Sequence, residues 1–253
     1  AAAERLVVVA RAGAGVDNID VDAATRRGVM VVNAPDSNTI AVAEHTMALM
    51  LCLARPICEA NAETHAGRWE KQRLLGSELR HKTLGLVGLG RVGSAVAERA
   101  RSFGMRILAH DPFVSPERAA QLDAALVSLD ELLTHADYVS LHVPASNTTR
   151  HMVGARELAL LKPTARLINC ARGDLIDEEA LCAALTSGQV AGAALDVFPD
   201  EPHVNAALQG CRNLILTPHL GASTEEAQDV AAVVVAQQVV DVLAGRPARH
   251  PVN

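Results

Sequence analysis

The chain has 253 residues, 49% of them hydrophobic and 21% charged. Those proportions are close to globular averages, which excludes a disordered chain, a collagen and a coiled coil, and the length suits one or two domains. A net charge of −6 argues against a nucleic-acid footprint.

No run of about 18 uncharged apolar residues appears, so no membrane span is expected. The longest greasy stretch, 40–54, is interrupted by Glu44 and His45. Aromatic residues make up only 2%, so the core must be built from Ala, Val, Leu and Ile. That suits a parallel sheet covered on both faces by helices. The cysteines Cys52, Cys58, Cys170, Cys182 and Cys211 contain no C-x-x-C pair. They read as reduced thiols of an intracellular, cytoplasmic protein without a metal site. The start, AAAERLVVVARAG, has no Met and no signal-peptide pattern, and it reads as an internal piece of a longer chain.

Short apolar runs alternate with helical patterns, as βαβ units require. In chain order the spacing predicts strands at 5–10, 29–33, 83–87, 106–110, 138–142, 166–170, 191–196 and 214–217. Helices are predicted at 39–55, 91–102, 130–135, 177–187 and 223–243. Pro56 breaks or restarts the first of these, and Ser187-Gly188 offers a stop for the fourth. Thr224, Glu225 and Glu226 place a capping oxygen and negative charge at the start of the last. Boundary signals at Asn33-Ala34-Pro35-Asp36-Ser37 and Pro218-His219-Leu220-Gly221 divide the chain. Residues 36–220 form a large central domain, flanked by 1–35 and 221–253, which meet as a second lobe.

The stretch TLGLVGLGRVG is an apolar strand running into G-x-G-x-x-G, with Gly88, Gly90 and Gly93 as its glycines, and then a helix. Such glycines allow a tight turn, close backbone approach to a pyrophosphate, and close helix–strand packing. The helix N-terminus offers free N–H groups to the phosphates. A second strand ends at Asp111, eighteen residues after Gly93, where a carboxylate can accept the ribose 2′-hydroxyl and repel a 2′-phosphate. NAD is therefore favoured over NADP. The alternative is a glycine turn that only packs a helix on the sheet, with Asp111 capping the loop before Pro112; strand, glycines, helix, strand and acid in this order favour the nucleotide site.

Three polar clusters also follow predicted strands: Asn169-Cys170-Ala171-Arg172-Gly173-Asp174, Asp196-Val-Phe-Pro-Asp-Glu201-Pro202, and Thr217-Pro218-His219-Leu220-Gly221-Ala222-Ser223. Ligands of an open parallel sheet bind at the carboxyl ends of its strands. Arg172, Asp196, Glu201 and His219 are thereby predicted to converge. A histidine suits removal of a hydroxyl proton. A carboxylate on its second ring nitrogen orients the ring and stabilises the imidazolium. A guanidinium holds a substrate carboxylate through two parallel hydrogen bonds and polarises the neighbouring carbonyl. Singly, each residue could equally be a surface side chain; the joint placement decides. His45, His65, His81, His135, His142, His151, His203 and His250 have no such company and read as structural or surface residues. Asp137 falls at the wrong end of its strand.

The stretches TLGLVGLGRVG, HDP, NCARGDLIDEEAL, GAALDVFPDEP and TPHLGASTEEAQ resemble the D-isomer-specific 2-hydroxyacid dehydrogenase family in order and spacing, and Glu201 follows Arg172 by 29 residues. ARAGAGVDNID, ATRRGVMVVNAP, AEHTMALMLCLARP and GRWEK narrow the resemblance to the branch acting on a phosphorylated 2-hydroxy acid. The resemblance implies an α/β fold. Its doubly wound parallel sheet would be a Rossmann-like NAD domain, beside a partial flavodoxin-like substrate lobe from the two chain ends. It implies oxidation of 3-phospho-D-glycerate to 3-phosphooxypyruvate, with Arg172, Glu201 and His219 catalytic. It implies NAD contacts from Gly88, Gly90, Arg91, Val92, Gly93, Asp111, Val143, Cys170, Ala171, Asp196, Leu220, Gly221 and Ala222. Substrate contacts would come from Arg11, Gly13, Ala14 and Gly15. Ala14 and Val143 stand where the family often has Thr, so cofactor contacts there must come from the backbone. Trp69 lies in a region that crosses to a second subunit in the family, which implies a homodimer or homotetramer. The first part of the family's substrate lobe has no counterpart here, so intact NAD binding with weak turnover is expected. The alternatives are a glyoxylate/hydroxypyruvate or D-lactate type of relative, and an NADH-sensing corepressor-like scaffold.

Overall fold

The apolar runs pair with their neighbours in parallel, as their Val/Leu/Ile content and their helical connections require. The computed structural model describes residues 5–253; the first four residues of the predicted 1–35 segment lie outside them. In chain order the elements are β1 (Val8–Ala10), α1 (Val21–Arg26), β2 (Met30–Val32), α2 (Thr39–Ala54), α3 (Ile57–His65), β3 (Thr83–Val87) and α4 (Arg91–Ser102). Next come β4 (Arg106–His110), α5 (Pro116–Gln121), β5 (Ala124–Leu126), α6 (Leu129–His135), β6 (Tyr138–Leu141) and α7 (Ala155–Leu160). The chain continues through β7 (Arg166–Asn169), α8 (Glu178–Thr186), β8 (Gly192–Leu195), α9 (Ala206–Gln209), β9 (Leu214–Leu216) and α10 (Glu225–Leu243). No single helix among the described residues is long and apolar enough to cross a membrane.

Two compact units divide these elements. One takes the residues up to Val42 with Ala222–Asn253; the other is Ala43–Gly221. The first turn of α2 belongs to the terminal unit and the rest of the helix to the central one.

In the terminal unit β1 and β2 pair in parallel, Val9 opposite Val31. The helix α10 lays Ala231 and Val235 against Ala34. Gln238, fully buried on α10, donates to the Asn33 carbonyl at 2.8 Å and accepts the His250 N–H at 2.8 Å. Asn253 accepts the Val31 N–H at 2.7 Å and donates to the Val29 carbonyl at 3.0 Å. A buried amide stays only where its hydrogen bonds are satisfied, as those of Gln238 are, and the exposed Asn253 adds two more bonds that hold the C-terminal segment beside β2.

The central unit is a seven-stranded parallel sheet in the order β5-β4-β3-β6-β7-β8-β9. Every residue of β3, β6 and β8 is buried, because helices cover both faces. Gly85 in β3 shows how closely they pack: a β-carbon there would lie 2.4 Å from Leu132 of α6. Leu132, Leu141, Leu158, Leu167 and Leu181 belong to one continuous core. Truncating a leucine buried this fully costs about 2–5 kcal/mol.

The predicted windows shrink at their ends for identifiable reasons. Residues 177 and 187 cap α8 rather than belong to it: the Asp177 side chain accepts the Ala180 N–H at 3.0 Å, and Ser187 closes the last turn. Thr224 caps α10 in the same way, so that helix begins at Glu225 rather than at 223. The helix α6 starts one residue earlier than predicted, after Ser128, which accepts the Glu131 N–H. The predicted strands 5–10, 29–33, 138–142, 166–170, 191–196 and 214–217 lose flanking residues that continue as loops. Pro56 does restart the helix, with α2 and α3 bent by 65°.

Candidate active site

Because all seven strands run parallel, the loops after β3, β4, β6, β7, β8 and β9 share one edge of the sheet. The chain reverses its direction of progress between β3 and β6, and such a switch point opens a crevice at that edge.

The glycine turn follows β3. Gly88 has φ of 94°, a conformation that favours glycine. A β-carbon on it would meet the His142 carbonyl oxygen at 2.6 Å and Val143 Cγ1 at 2.9 Å. Gly90 caps α4 and faces open space. Arg91, Val92 and Gly93 form the first helical turn, where backbone N–H groups lack intrahelical partners. Gly93 packs so tightly that a β-carbon would lie 2.2 Å from the Gly88 carbonyl oxygen. Asp111, just past β4, reaches back to this turn and accepts the Leu89 N–H at 2.8 Å and the Phe113 N–H at 2.9 Å. The cradle fits a dinucleotide pyrophosphate on helix N–H groups, with a carboxylate fixed at its rim.

The other polar residues form a connected chain. Asn169, at the end of β7, donates to the Arg172 carbonyl at 2.8 Å and accepts the Ala171 N–H at 3.0 Å, which shapes the loop Cys170–Ala171–Arg172. Arg172 also donates to the Ala171 carbonyl at 2.7 Å. At Gly173 a β-carbon would lie 2.1 Å from the Phe198 carbonyl carbon, so the loop after β7 presses directly on the loop after β8. The Phe198 N–H donates to Glu201 Oε1 at 3.0 Å. Glu201 Oε2 lies 2.7 Å from His219 Nδ1. A carboxylate oxygen accepts, so Nδ1 donates in this pair, and Nε2 is the ring nitrogen that the bond leaves unused. The imidazole is about half exposed.

Asp196 holds the His219 loop. Its carboxylate accepts the N–H groups of Leu220 and Gly221 at 2.8 Å each and the Thr217 hydroxyl at 2.6 Å, while its carbonyl accepts the His219 N–H at 2.9 Å. Burial acts to raise the Asp196 pKa. His45, Thr217 and the two N–H donors outweigh it and hold the carboxyl below its usual range. His219 has φ of 54°, unusual for a residue other than glycine. Such outliers persist where their surroundings over-determine them.

His45 is the residue that sequence reasoning missed. It sits on α2, with Nε2 at 3.2 Å from both Asp196 Oδ1 and Thr217 Oγ1. With Cys170 and Asp196 it forms a cluster of groups within 4.8 Å of one another. No local motif announces it, because its partners lie more than 120 residues away. The Cys170 thiol is buried and pushed up to about 12, which leaves it inert. Asp137 lies at the opposite edge, accepting the Thr83 N–H at 2.8 Å and pairing with Lys162 at 2.9 Å.

In the terminal unit Arg11 donates to the Ala12 carbonyl at 2.7 Å, and the Gly13 N–H donates to the Arg11 carbonyl at 2.9 Å. The Gly13 carbonyl accepts the Ala34 N–H at 3.0 Å. The Ala14 carbonyl accepts from Asn33 at 2.7 Å, so the turn entering Gly15 is tied to the segment after β2. Ala222 opens the second stretch of this unit.

The comparisons with known proteins agree with this architecture. The family model described as "D-isomer specific 2-hydroxyacid dehydrogenase, NAD binding domain" matches residues 47–221. The chain belongs to the D-isomer-specific 2-hydroxyacid dehydrogenase family. It is 54% identical over 252 residues to a D-3-phosphoglycerate dehydrogenase from Synechocystis, covering 100% of this chain and 46% of that protein. Among solved structures it resembles the TT0316 protein from Thermus thermophilus, with a TM-score of 0.91, 40% identity, and coverage of 98% of this chain and 79% of that one. It also resembles a D-lactate dehydrogenase from Aquifex aeolicus complexed with NAD and lactic acid, with a TM-score of 0.87, 32% identity, and coverage of 96% and 78%. The chain spans about half the length of the curated relatives it matches.

Proposed function

We propose that this sequence belongs to an NAD-dependent dehydrogenase that oxidises 3-phospho-D-glycerate to 3-phosphooxypyruvate, the entry to serine synthesis. NAD, when bound, supplies the hydride acceptor. Residues 36–220 are the NAD-binding domain in this reading, and 1–35 with 221–253 contribute to the substrate lobe. The observation that carries the reading is the His219–Glu201 pair at 2.7 Å, hung on Asp196 at the same sheet edge as the glycine turn.

His219 Nε2 takes the proton of the substrate 2-hydroxyl as the C2–H bond gives up its hydride. Glu201, holding Nδ1, keeps the ring oriented and stabilises the imidazolium. Arg172 binds the substrate carboxylate and polarises the forming carbonyl. Asp111 accepts from the ribose and disfavours a 2′-phosphate. Asp196, with its loop Leu220–Gly221–Ala222, would hold the nicotinamide end of NAD, and Cys170, Ala171 and Val143 would contribute backbone. Arg11 and the turn Gly13–Ala14–Gly15 contact the substrate and its phosphate. Trp69 and Leu75 are 85% and 89% exposed. Their segment supports assembly as a homodimer or homotetramer, and the composition supports a cytoplasmic location.

The test is turnover of 3-phospho-D-glycerate against D-glycerate and D-lactate by a full-length protein carrying this sequence. A preference for the phosphorylated acid supports the reading. Equal or better turnover of an unphosphorylated acid assigns the protein to the glyoxylate/hydroxypyruvate or D-lactate type instead.

A further inference from the structure

Cys182 lies on α8, and Cys211 lies two residues past the end of α9. Their sulfurs are 2.9 Å apart, and both thiols point at one acceptor, the Ala207 carbonyl, at 3.5 and 3.4 Å. A disulfide bond is about 2.05 Å long. The two sulfurs therefore need to close by less than an ångström, and neither side chain is fully buried. Cys170 has no such setting: it is buried and faces Thr46 and Asp196.

We propose that Cys182 and Cys211 are an oxidation site that closes into a reversible disulfide under a peroxide or a small disulfide such as oxidised glutathione. With hydrogen peroxide, one sulfur attacks as its thiolate and breaks the O–O bond, giving a sulfenic acid and hydroxide. The second sulfur then attacks the first, forming the S–S bond and expelling the sulfenic oxygen. Two electrons pass from the thiols to the peroxide, and the two thiol protons end in two waters. With oxidised glutathione, one sulfur attacks as its thiolate, breaks the glutathione S–S bond and releases one glutathione, and the second sulfur then displaces the other from the mixed disulfide. Burial and the neighbouring thiol hold the Cys211 pKa up at about 11. The Cys211 thiol is then protonated at neutral pH, and oxidation that starts from its thiolate quickens as pH rises.

The bond would tie the helix that follows the Arg172 loop to the segment that follows the Glu201 turn. The glycine turn and Asp111 lie on β3 and β4, on the other side of β6 in the sheet. NAD affinity should therefore survive oxidation.

The experiment is to treat the reduced chain with hydrogen peroxide or oxidised glutathione and map its peptides by mass spectrometry without reduction. The expected product joins the peptides holding residues 182 and 211, with the loss of two hydrogens, and dithiothreitol reverses it. Closing a loop between residues 29 apart should raise the thermal midpoint by roughly 5–10 °C. Cys182→Ser and Cys211→Ser should each lack both effects, while a chain with Cys52→Ser and Cys58→Ser should keep them. Oxidation that leaves 182 and 211 as sulfinic acids or glutathione adducts without the crosslink overturns the proposal. So does a crosslink confined to Cys52 and Cys58.

Discussion

At the scale of single residues, the account rests on three side chains with separable jobs. His219→Ala should lower kcat by about 10²–10⁴, the range for losing a general acid–base group, with little change in NAD affinity by calorimetric titration. Glu201→Gln keeps an acceptor for Nδ1 but removes the charge that stabilises the imidazolium. Its kcat should fall less, and the pH–rate profile should shift. Asp111→Ala should weaken NAD and relax discrimination against NADP; an unmutated protein that uses both cofactors equally would remove the role given to that carboxylate. His142 supplies a pH dependence of a different kind. Burial pushes it down to about 4 from an ordinary 6.5, and its ring bonds the buried Ser140 hydroxyl at 2.9 Å. In the unfolded chain this imidazole binds a proton below pH 6.5, while in the folded chain it stays neutral down to about 4. Stability should therefore fall, by up to about 3 kcal/mol, as pH drops from 6.5 to 4. His142→Gln should flatten that loss in acid-titrated unfolding curves. Arg172, Glu201 and His219 were legible in the sequence as candidates because each sits in a contiguous polar cluster after an apolar run. The sequence hid His45, whose bonds to Asp196 and Thr217 exist only once α2 packs beside the loops after β8 and β9.

At the scale of elements, close packing at two glycines sets the shape of the crevice. Gly93→Ala places a methyl group 2.2 Å from a backbone oxygen and must push α4 off β3. NAD binding should be lost, with a fall in thermal midpoint. Gly173→Ala collides with the Phe198 carbonyl carbon at 2.1 Å and separates the Arg172 loop from the Glu201 loop. It should depress kcat more than NAD affinity, which distinguishes it from Gly93→Ala in the same pair of assays. The long periodic elements, α2 and α10, and the Val/Leu strands were legible because their patterns run for many residues. β5 has only Ala-Ala-Leu and follows Asp123 in a left-handed conformation, so no apolar run marks it. α1, α5 and α7 are six residues each, too short to show a period, and what marks α1 and α5 is a side-chain cap, at Asp20 and Ser115.

At the scale of the molecule, the parallel sheet and its reversal between β3 and β6 followed from alternating apolar runs and one glycine fingerprint. The pairing of sulfurs on α8 and beyond α9 did not, since neither cysteine has a motif around it. Assembly belongs at this scale too: sedimentation should give a dimer or tetramer, and Trp69→Ala with Leu75→Ala should shift it toward smaller species while NAD affinity persists. The claim on which the rest depends is that an imidazole held by Glu201 removes the substrate proton beside a bound nicotinamide. The most direct measurement is NADH formation from 3-phospho-D-glycerate by a full-length protein with and without His219→Ala, with NAD affinity followed in parallel. A fall of at least about a hundredfold in turnover, at an NAD affinity within a few-fold of the unmutated protein, is the predicted result. Turnover that survives the substitution, or falls only as far as NAD binding does, would contradict it.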